Sequence, residues 1–105
     1  KYKSNVFIIS NMADNDKIDI KKCIKYLASQ EINNIFIESG PKVVESFLKL
    51  KLIDELLLYI APIIIGHTGK NFSGVSYITK LSKKIKFTIN DMISIGNDLK
   101  VRMVK

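Results

Sequence analysis

The residues best suited to chemistry lie in one short stretch, residues 35–41, where the apolar run IFI ends in ESGP. The first turn of a helix leaves backbone N–H groups unpaired and carries the positive end of the helix dipole. If a helix begins after Gly40, the N–H groups of Gly40, Lys42 and Val43 can bind a pyrophosphate. Pro41 donates no hydrogen bond, but it suits the first helical position and fixes the entry angle. A single glycine turn is a weak signal, and the spacing alone favours an ordinary strand-to-helix turn in which Ser39 is only the helix cap.

Glu38 adds a carboxylate to this turn. It ends an otherwise apolar segment, and open α/β sheets bind ligands at the carboxyl ends of their strands. A carboxylate in that position accepts hydrogen bonds from amide or amino groups of a ligand. The alternative reading is that Glu38 caps the start of the neighbouring helix.

Two helices and two buried strands are predicted to position this turn. Residues 5–10 (NVFIIS) and 35–37 have the composition of short buried strands. From Asp19 to residue 32, apolar side chains recur at helical intervals with Asp19 as a suitable N-cap. A second helix begins at Pro41 and presents an apolar face through residue 50.

The second half of the chain favours strands. Residues 56–65 form an apolar run that predicts a strand covered on both faces, with a bulge or edge position at Pro62. Residues 66–74 are polar and contain glycine, so they predict a loop. Residues 84–95 and 98–104 alternate apolar and polar side chains around Gly96-Asn97, which predicts an antiparallel hairpin. The order β-α-β-α-β-β-β predicts an α/β sheet that starts parallel and ends in this hairpin.

Composition excludes several classes of protein. The 105 residues are 47% hydrophobic and 26% charged, which favours one globular domain over a disordered chain. A single cysteine excludes an internal disulfide, and no apolar run approaches the roughly 18 residues of a membrane span. Without a signal-peptide pattern at its start, the chain is expected in a reducing cytoplasm.

The net charge of +7 raises the question of nucleic-acid binding. All but one of the seventeen basic residues are lysines, scattered along the chain. Lysine lacks the bidentate fork that favours base-edge and phosphate recognition. Abundant Ile, Lys and Asn are also typical of an AT-rich genome, so we expect neither a nucleic-acid nor a membrane partner.

Other reactive side chains are interpreted structurally. His67 lies in a polar loop whose spacing does not fit a P-loop, because Ile64 stands where the first glycine belongs. Cys23 lies on the apolar side of the first predicted helix, and no second thiol or imidazole is placed to form a metal site with it. Asp54-Glu55 is interpreted as turning the chain into the strand that follows.

The stretch at residues 37–66, IESGPKVVESFLKLKLIDELLLYIAPIIIG, closely resembles the reductase domain of the bifunctional riboflavin-biosynthesis deaminase/reductase family. That family has a Glu-Gly-Gly-Pro turn, a helix with Phe-Leu, a Leu-Val-Asp-Glu-Leu segment and an Ala-Pro strand ending in Leu-Leu-Gly. The resemblance extends more loosely over the whole chain, including residues 19–32 and the hairpin at 96–99.

The resemblance implies a dihydrofolate-reductase-like fold that binds NADPH and reduces the ribosyl group of a ribosylaminopyrimidine phosphate to ribityl. No metal takes part, and the resemblance implies a homodimer. Glu38 matches the family's substrate-binding glutamate. The family's cofactor-binding turn and first helical turn match these residues: Gly40, Pro41, Lys42, Val43, Val44, Glu45 and Ser46. No catalytic residue is assigned.

Two departures from the family pattern bear on function. Ser39 stands where the family has its first glycine, which would weaken cofactor binding if that position needs close approach. The resemblance also starts near the middle of the family's reductase domain, and the zinc deaminase motifs are missing. Residues 1–105 are therefore expected to be the C-terminal portion of a reductase domain without the deaminase domain. The competing hypothesis is a non-catalytic fragment or remnant that needs a partner chain.

Overall fold

The computed structural model describes residues 10, 12–14, 17–75, 77–80 and 83–105. Among them the chain forms, in order, β1, β2, α1, α2, β3, β4 and β5. It divides into two compact units, Lys1–Ile37 and Glu38–Lys105, which are described separately. Neither α1 nor α2 is a helix of the length and apolarity that a membrane crossing needs.

In the first unit, a pair of short strands precedes one helix. β1 (Ala13–Asp14) pairs antiparallel with β2 (Lys17–Ile18), a pairing that the sequence did not predict. α1 spans Ile20–Ser29, and its N-cap Asp19 accepts a 3.1 Å hydrogen bond at Oδ1 from the N–H of Lys22. That bond satisfies one of the unpaired donors of the first helical turn, so the predicted start of the helix is confirmed.

The predicted strand at residues 35–37 is wrong for the described part of the chain. Residues 32–40 contain no strand, and the Phe36 side chain is 73% exposed. An extended segment becomes a strand only when a neighbour pairs with its backbone N–H and C=O groups, and no described residue does so. The first predicted strand, residues 5–10, lies outside the described residues except Ser10, which belongs to no strand. Every strand pair that the structure describes is antiparallel.

In the second unit, one helix is followed by an antiparallel sheet. α2 spans Pro41–Leu50, as predicted, with proline in its first turn. β3 (Glu55–Ile60), β4 (Thr88–Ile95) and β5 (Asp98–Val104) form a sheet in the order β3-β5-β4. The last strand in sequence is thus the central strand, and it carries Val101, which is buried.

The predicted hairpin is confirmed and its turn is two residues long. Ile95 pairs with Asp98, which leaves Gly96 and Asn97 as the loop. Gly96 has a φ of +59°, and a positive φ at the first loop position is the geometry of a type II′ turn. The register shifts between Ile89 and Asp91, so the strand contains a bulge.

Two strands are shorter than predicted, for the same reason. β3 ends at Ile60 instead of residue 65, since Ile60 pairs with Leu99 and β5 turns away immediately before Asp98. Its faces are also not fully covered, because Tyr59 is 57% exposed. β4 begins at Thr88 instead of residue 84, because Thr88 pairs with Val104, the last residue of its partner β5. The length of β5 therefore limits both of its neighbours.

Candidate functional site

The ESGP turn leads directly into α2. Gly40 is the N-cap residue, with an extended backbone (φ −73°, ψ 171°), and Pro41 occupies the first turn. Because the N-cap residue is glycine, no N-cap side chain accepts a hydrogen bond from the first turn of the helix. The carbonyl of Gly40 accepts hydrogen bonds from the N–H groups of Val43 and Val44, at 3.1 and 3.3 Å. The helix start is thus held by backbone bonds and by the fixed φ of proline.

Two N–H groups remain open at this turn. Among the described residues, the N–H groups of Gly40 and Lys42 have no hydrogen-bond partner. The N–H of Val43, which the sequence suggested as a third donor, is instead used by the Gly40 carbonyl. A Cβ added at Gly40 would meet nothing within 4 Å, so the approach to the two donors is clear. The φ of Gly40 could be adopted by any residue. Glycine is useful at this position because it has no side chain and lets a ligand approach the backbone closely.

Glu38 and Ser39 are exposed and precede the first residue of α2 by three and two positions. Neither side chain has a hydrogen-bond or ion-pair partner within the described ranges. Ser39 therefore does not cap the helix, as it would in an ordinary strand-to-helix turn. Consecutive Cα atoms are about 3.8 Å apart, so the Glu38 Cα lies within about 8 Å of the Gly40 Cα. The Glu38 backbone therefore lies close to the open N–H groups, although it does not end a strand.

The remaining predicted site residues lie along the first two turns of α2. Val44 is half-buried, and the Ser46 hydroxyl donates a 2.9 Å hydrogen bond to the Lys42 carbonyl. A hydroxyl that is bonded to its own helix contributes to the helix before it contributes to a ligand. The half-buried Glu45 lies beside Gly74, where an added Cβ would come within 2.8 Å of its Oε2 atom.

Gly74 is the site residue that the sequence did not single out. Its N–H donates a 3.3 Å hydrogen bond to the Pro41 carbonyl, which places the end of the predicted loop against the first turn of α2. The only sequence signal for a role of Gly74 was that it is a glycine in a polar predicted loop. Its close approach to Glu45 leaves no room for a larger side chain unless the carboxylate moves.

The arrangement suits an anion. The open donors, the positive end of the α2 dipole and the Lys42 ammonium all favour negative charge in the same place. The chemistry of this donor set therefore fits a phosphate-bearing cofactor. In the part of the chain that the structure describes, no group of three or more His, Cys, Asp or Glu side chains is placed to hold a metal ion.

The other reactive side chains, for which the sequence predicted structural roles, do not belong to this turn. His67 is exposed in a turn whose Gly69 N–H donates to the Gly66 carbonyl, and Cys23 is a half-buried free thiol on α1. Glu55 joins β3 to β5 through an ion pair with Arg102.

Three kinds of comparison give the same family. The family model described as RibD C-terminal domain matches residues 1–101. The riboflavin biosynthesis protein RibD of Buchnera aphidicola subsp. Baizongia pistaciae is 43% identical over 89 residues, which are 85% of this chain and 24% of that protein. A protein named 5-amino-6-(5-phosphoribosylamino)uracil reductase, from Buchnera aphidicola subsp. Acyrthosiphon pisum, is 37% identical over 83% of this chain and 42% of its own length.

Solved structures agree at the level of the fold. Acinetobacter baumannii RibD superposes with a TM-score of 0.75 at 24% sequence identity, over 81% of this chain and 24% of that one. The chain thus spans between a quarter and about two fifths of the proteins that it resembles. On the family-model match over nearly its whole length, the chain belongs to the RibD C-terminal domain family.

Proposed function

We propose that this chain is part of a 5-amino-6-(5-phosphoribosylamino)uracil reductase of riboflavin biosynthesis that uses NADPH. The observation that carries the proposal is the open start of α2, with two unpartnered N–H groups and a carboxylate beside it, in a chain of this family. One relative is named for that reductase activity. Bound NADPH would supply the hydride that reduces C1′ of the ring-opened ribose to the ribityl product.

The residues of the turn divide the binding between them. The N–H groups of Gly40 and Lys42 hold a phosphate of the cofactor, and the Lys42 ammonium offsets part of its charge. Pro41 keeps the two donors at a fixed angle. Glu38 accepts hydrogen bonds from amino or amide groups of the pyrimidine. The chain's contribution is to orient two ligands against each other, which is a large share of catalysis in cofactor enzymes.

The first four residues of α2 beyond Lys42 support this turn. Val43, Val44, Glu45 and Ser46 are proposed to line the cofactor side of the helix, with Gly74 packed against Glu45. The proposal further includes a homodimer acting in the cytoplasm, with residues 1–105 as the C-terminal portion of the reductase domain.

A fluorescence titration of the 105-residue chain with NADPH tests the cofactor site. Gly40→Asp is expected to abolish saturable binding, because its carboxylate repels the phosphate and accepts a hydrogen bond from the helix start. The variant is expected to fold: the φ of Gly40 is ordinary, a Cβ meets nothing there, and aspartate is a favourable N-cap. Circular dichroism confirms the fold of each variant before titration.

Asn34→Asp is the matched control. It adds the same single charge at an exposed position of the first unit, so NADPH binding should change less than twofold. Ser39→Gly restores the family's glycine and should tighten binding if that position limits cofactor approach. A folded wild-type chain that shows no saturable binding would contradict the cofactor site in this chain.

The second candidate function is a subunit that becomes active only with a partner supplying the rest of the reductase domain. It is favoured by the exposure of Phe36 and its neighbours Ile35 and Ile37, which are 42% and 38% exposed, apolar residues of a kind that strands normally cover. Adding the purified first half of a related reductase domain distinguishes the candidates. NADPH binding that appears only in the mixture would favour the subunit, and binding by the chain alone would favour the first proposal.

A further inference from the structure

A second basic site lies in the unit formed by residues 38–105. A cavity of about 380 Å³ opens near the C-terminal end of α2, between that helix end and the segment leading into β4. Its volume falls within the range of small-molecule sites. Six lysines line it: Lys49, Lys51, Lys83, Lys84, Lys86 and Lys105. Among the lining residues that the structure describes, no side chain is a carboxylate.

Helix chemistry explains only part of this cluster. Cations are favourable near a helix C-terminus, which accounts for Lys49 and Lys51. The ammonium of Lys105 donates a 2.6 Å hydrogen bond to the Lys51 carbonyl and caps the same helix end. Residues 83–86, however, are more than thirty positions away in sequence and belong to no part of α2. They bring three further lysines to a place that already carries three positive charges.

These charges are not neutralised by the described residues. Among the described residues, the ion pairs join Asp19 to Lys22 and Glu55 to Arg102. None of the six lysines of the cavity therefore pairs with a described carboxylate. Like charges around one cavity repel each other. An anion inside the cavity attracts each ammonium group and so offsets that repulsion. An ammonium offers three donors, so even Lys105 keeps two for a ligand.

One lining residue of the cavity adds an independent observation. The hydroxyl oxygen of Tyr77, one of the lining residues, is buried and has no hydrogen-bond partner among the described residues. A buried polar atom without a partner costs free energy unless water or a ligand satisfies it. A tyrosine hydroxyl among lysines can donate to an anionic oxygen, just as the ammonium groups do.

We propose that this cavity binds a small anionic ligand that carries two or more clustered phosphate groups. The site is separate from the ESGP turn, because a ten-residue helix is about 15 Å long and the cavity adjoins its other end. A compact polyphosphate can reach lysines on both sides of the cavity at once, whereas a single phosphate meets only some of them. Binding there would join residues 83–86 to the end of α2.

Isothermal titration calorimetry of the 105-residue chain with inorganic tripolyphosphate tests the site. One tight site is expected per chain, which binds tripolyphosphate more tightly than orthophosphate and more tightly than the ESGP turn does. The double variant Lys84→Gln/Lys86→Gln should raise Kd at least tenfold. Tyr77→Phe, which removes one hydroxyl and no charge, should raise it about tenfold, the usual effect of losing a hydrogen bond to a charged group.

The matched control is Lys21→Gln/Lys25→Gln, which removes two exposed lysines of α1 and should change Kd less than twofold. Gly40→Asp should also leave tripolyphosphate binding intact, which separates this site from the cofactor turn. Equal losses in the two double variants, or an unchanged Kd in Tyr77→Phe, would overturn the site and assign binding to general positive charge. Loss in Gly40→Asp would assign the anion to the start of α2 instead.

Discussion

Glu55 and Arg102 form the strongest side-chain interaction that the structure describes between β3 and β5. Arg102 Nη2 donates to Glu55 Oε2 at 2.6 Å. Glu55 faces Val104 across the strand pair, so Arg102 is its diagonal neighbour, within reach of a long side chain. The hydrogen bond from Arg102, followed by its charge, lowers the pKa of the Glu55 carboxyl below its ordinary value of 4.5. The same contact raises the pKa of the Arg102 guanidinium.

The lowered pKa of Glu55 predicts how stability depends on pH. Because the folded protein holds the carboxylate charged, the pair stabilises the fold above pH 4.5 and loses its effect as the pH falls through the lowered pKa. Glu55→Gln should therefore unfold at lower urea concentration than wild type at pH 7, and the difference should vanish in acid. The effect is small and sensitive to salt, since both side chains are partly exposed.

Glu31→Gln provides the control for that measurement. Glu31 is exposed and has no ion pair in the described part of the chain. Glu31→Gln should unfold at nearly the same urea concentration as wild type at pH 7. A Glu55→Gln difference that persists unchanged in acid would show that the ion pair is not its cause.

At the residue scale, two of the three N–H groups that the sequence suggested at the ESGP turn are open, those of Gly40 and Lys42, and the Val43 N–H is bonded to the Gly40 carbonyl. The contacts that support the turn were not predicted. Proline after glycine at a helix start is a local signal, and the structure places both as expected. The contact of Gly74 with Glu45 and the lysine cavity depend on residues far apart in sequence. Spacing along the chain carries no information about such contacts, so only the fold shows them.

At the element scale, the predictions that succeeded rest on local chemistry. Asp19 caps α1, Pro41 begins α2, and Gly96 with Asn97 forms the hairpin turn. The predictions that failed concern strands: residues 35–37 form none, and β3 and β4 are shorter than predicted. A run of apolar residues at 61–65 favours extended backbone, but strand β5 offers no partner beyond its own turn. Strand bounds are therefore set by pairing, which composition does not reveal.

The hairpin turn itself supplies a stability prediction. Alanine at position 96 must adopt the φ of +59° that glycine accepts freely, so Gly96→Ala should cost about 1 kcal/mol. For a domain of this size that lowers Tm by about 4–8 °C. Differential scanning calorimetry measures the change.

Gly40→Ser is the control for the turn, because Gly40 has a φ of −73°, open space around it and an N-cap position that serine suits. Its Tm should stay close to that of wild type. Equal losses at both positions would mean that the conformation of the turn is not the reason for glycine at position 96.

At the scale of the whole molecule, the described residues leave much apolar surface uncovered. Among them only Leu48 and Val101 are buried hydrophobic residues. β4 pairs with β5 alone in the described sheet and exposes four large apolar side chains: Ile89, Met92, Ile93 and Ile95. A long apolar edge strand of this kind favours pairing with another chain.

Self-association is therefore expected to depend on β4. Ile93→Lys places a charge on the edge strand and should lower the association constant at least fivefold in sedimentation equilibrium. Ser29→Lys adds the same charge at an exposed position of α1 and should have little effect. If both variants weaken association equally, the cause is net charge and not the strand edge.

The central place of β5 also has a consequence for the order in which the protein is made. β3 and β4 do not pair with each other, so the sheet of the second unit has no complete pairing until β5 exists. Translation from residue 60 to residue 104 takes roughly 2–9 s at the usual rates of chain elongation. For that time the newly made β3, with its three consecutive leucines, waits on the ribosome without its strand partner.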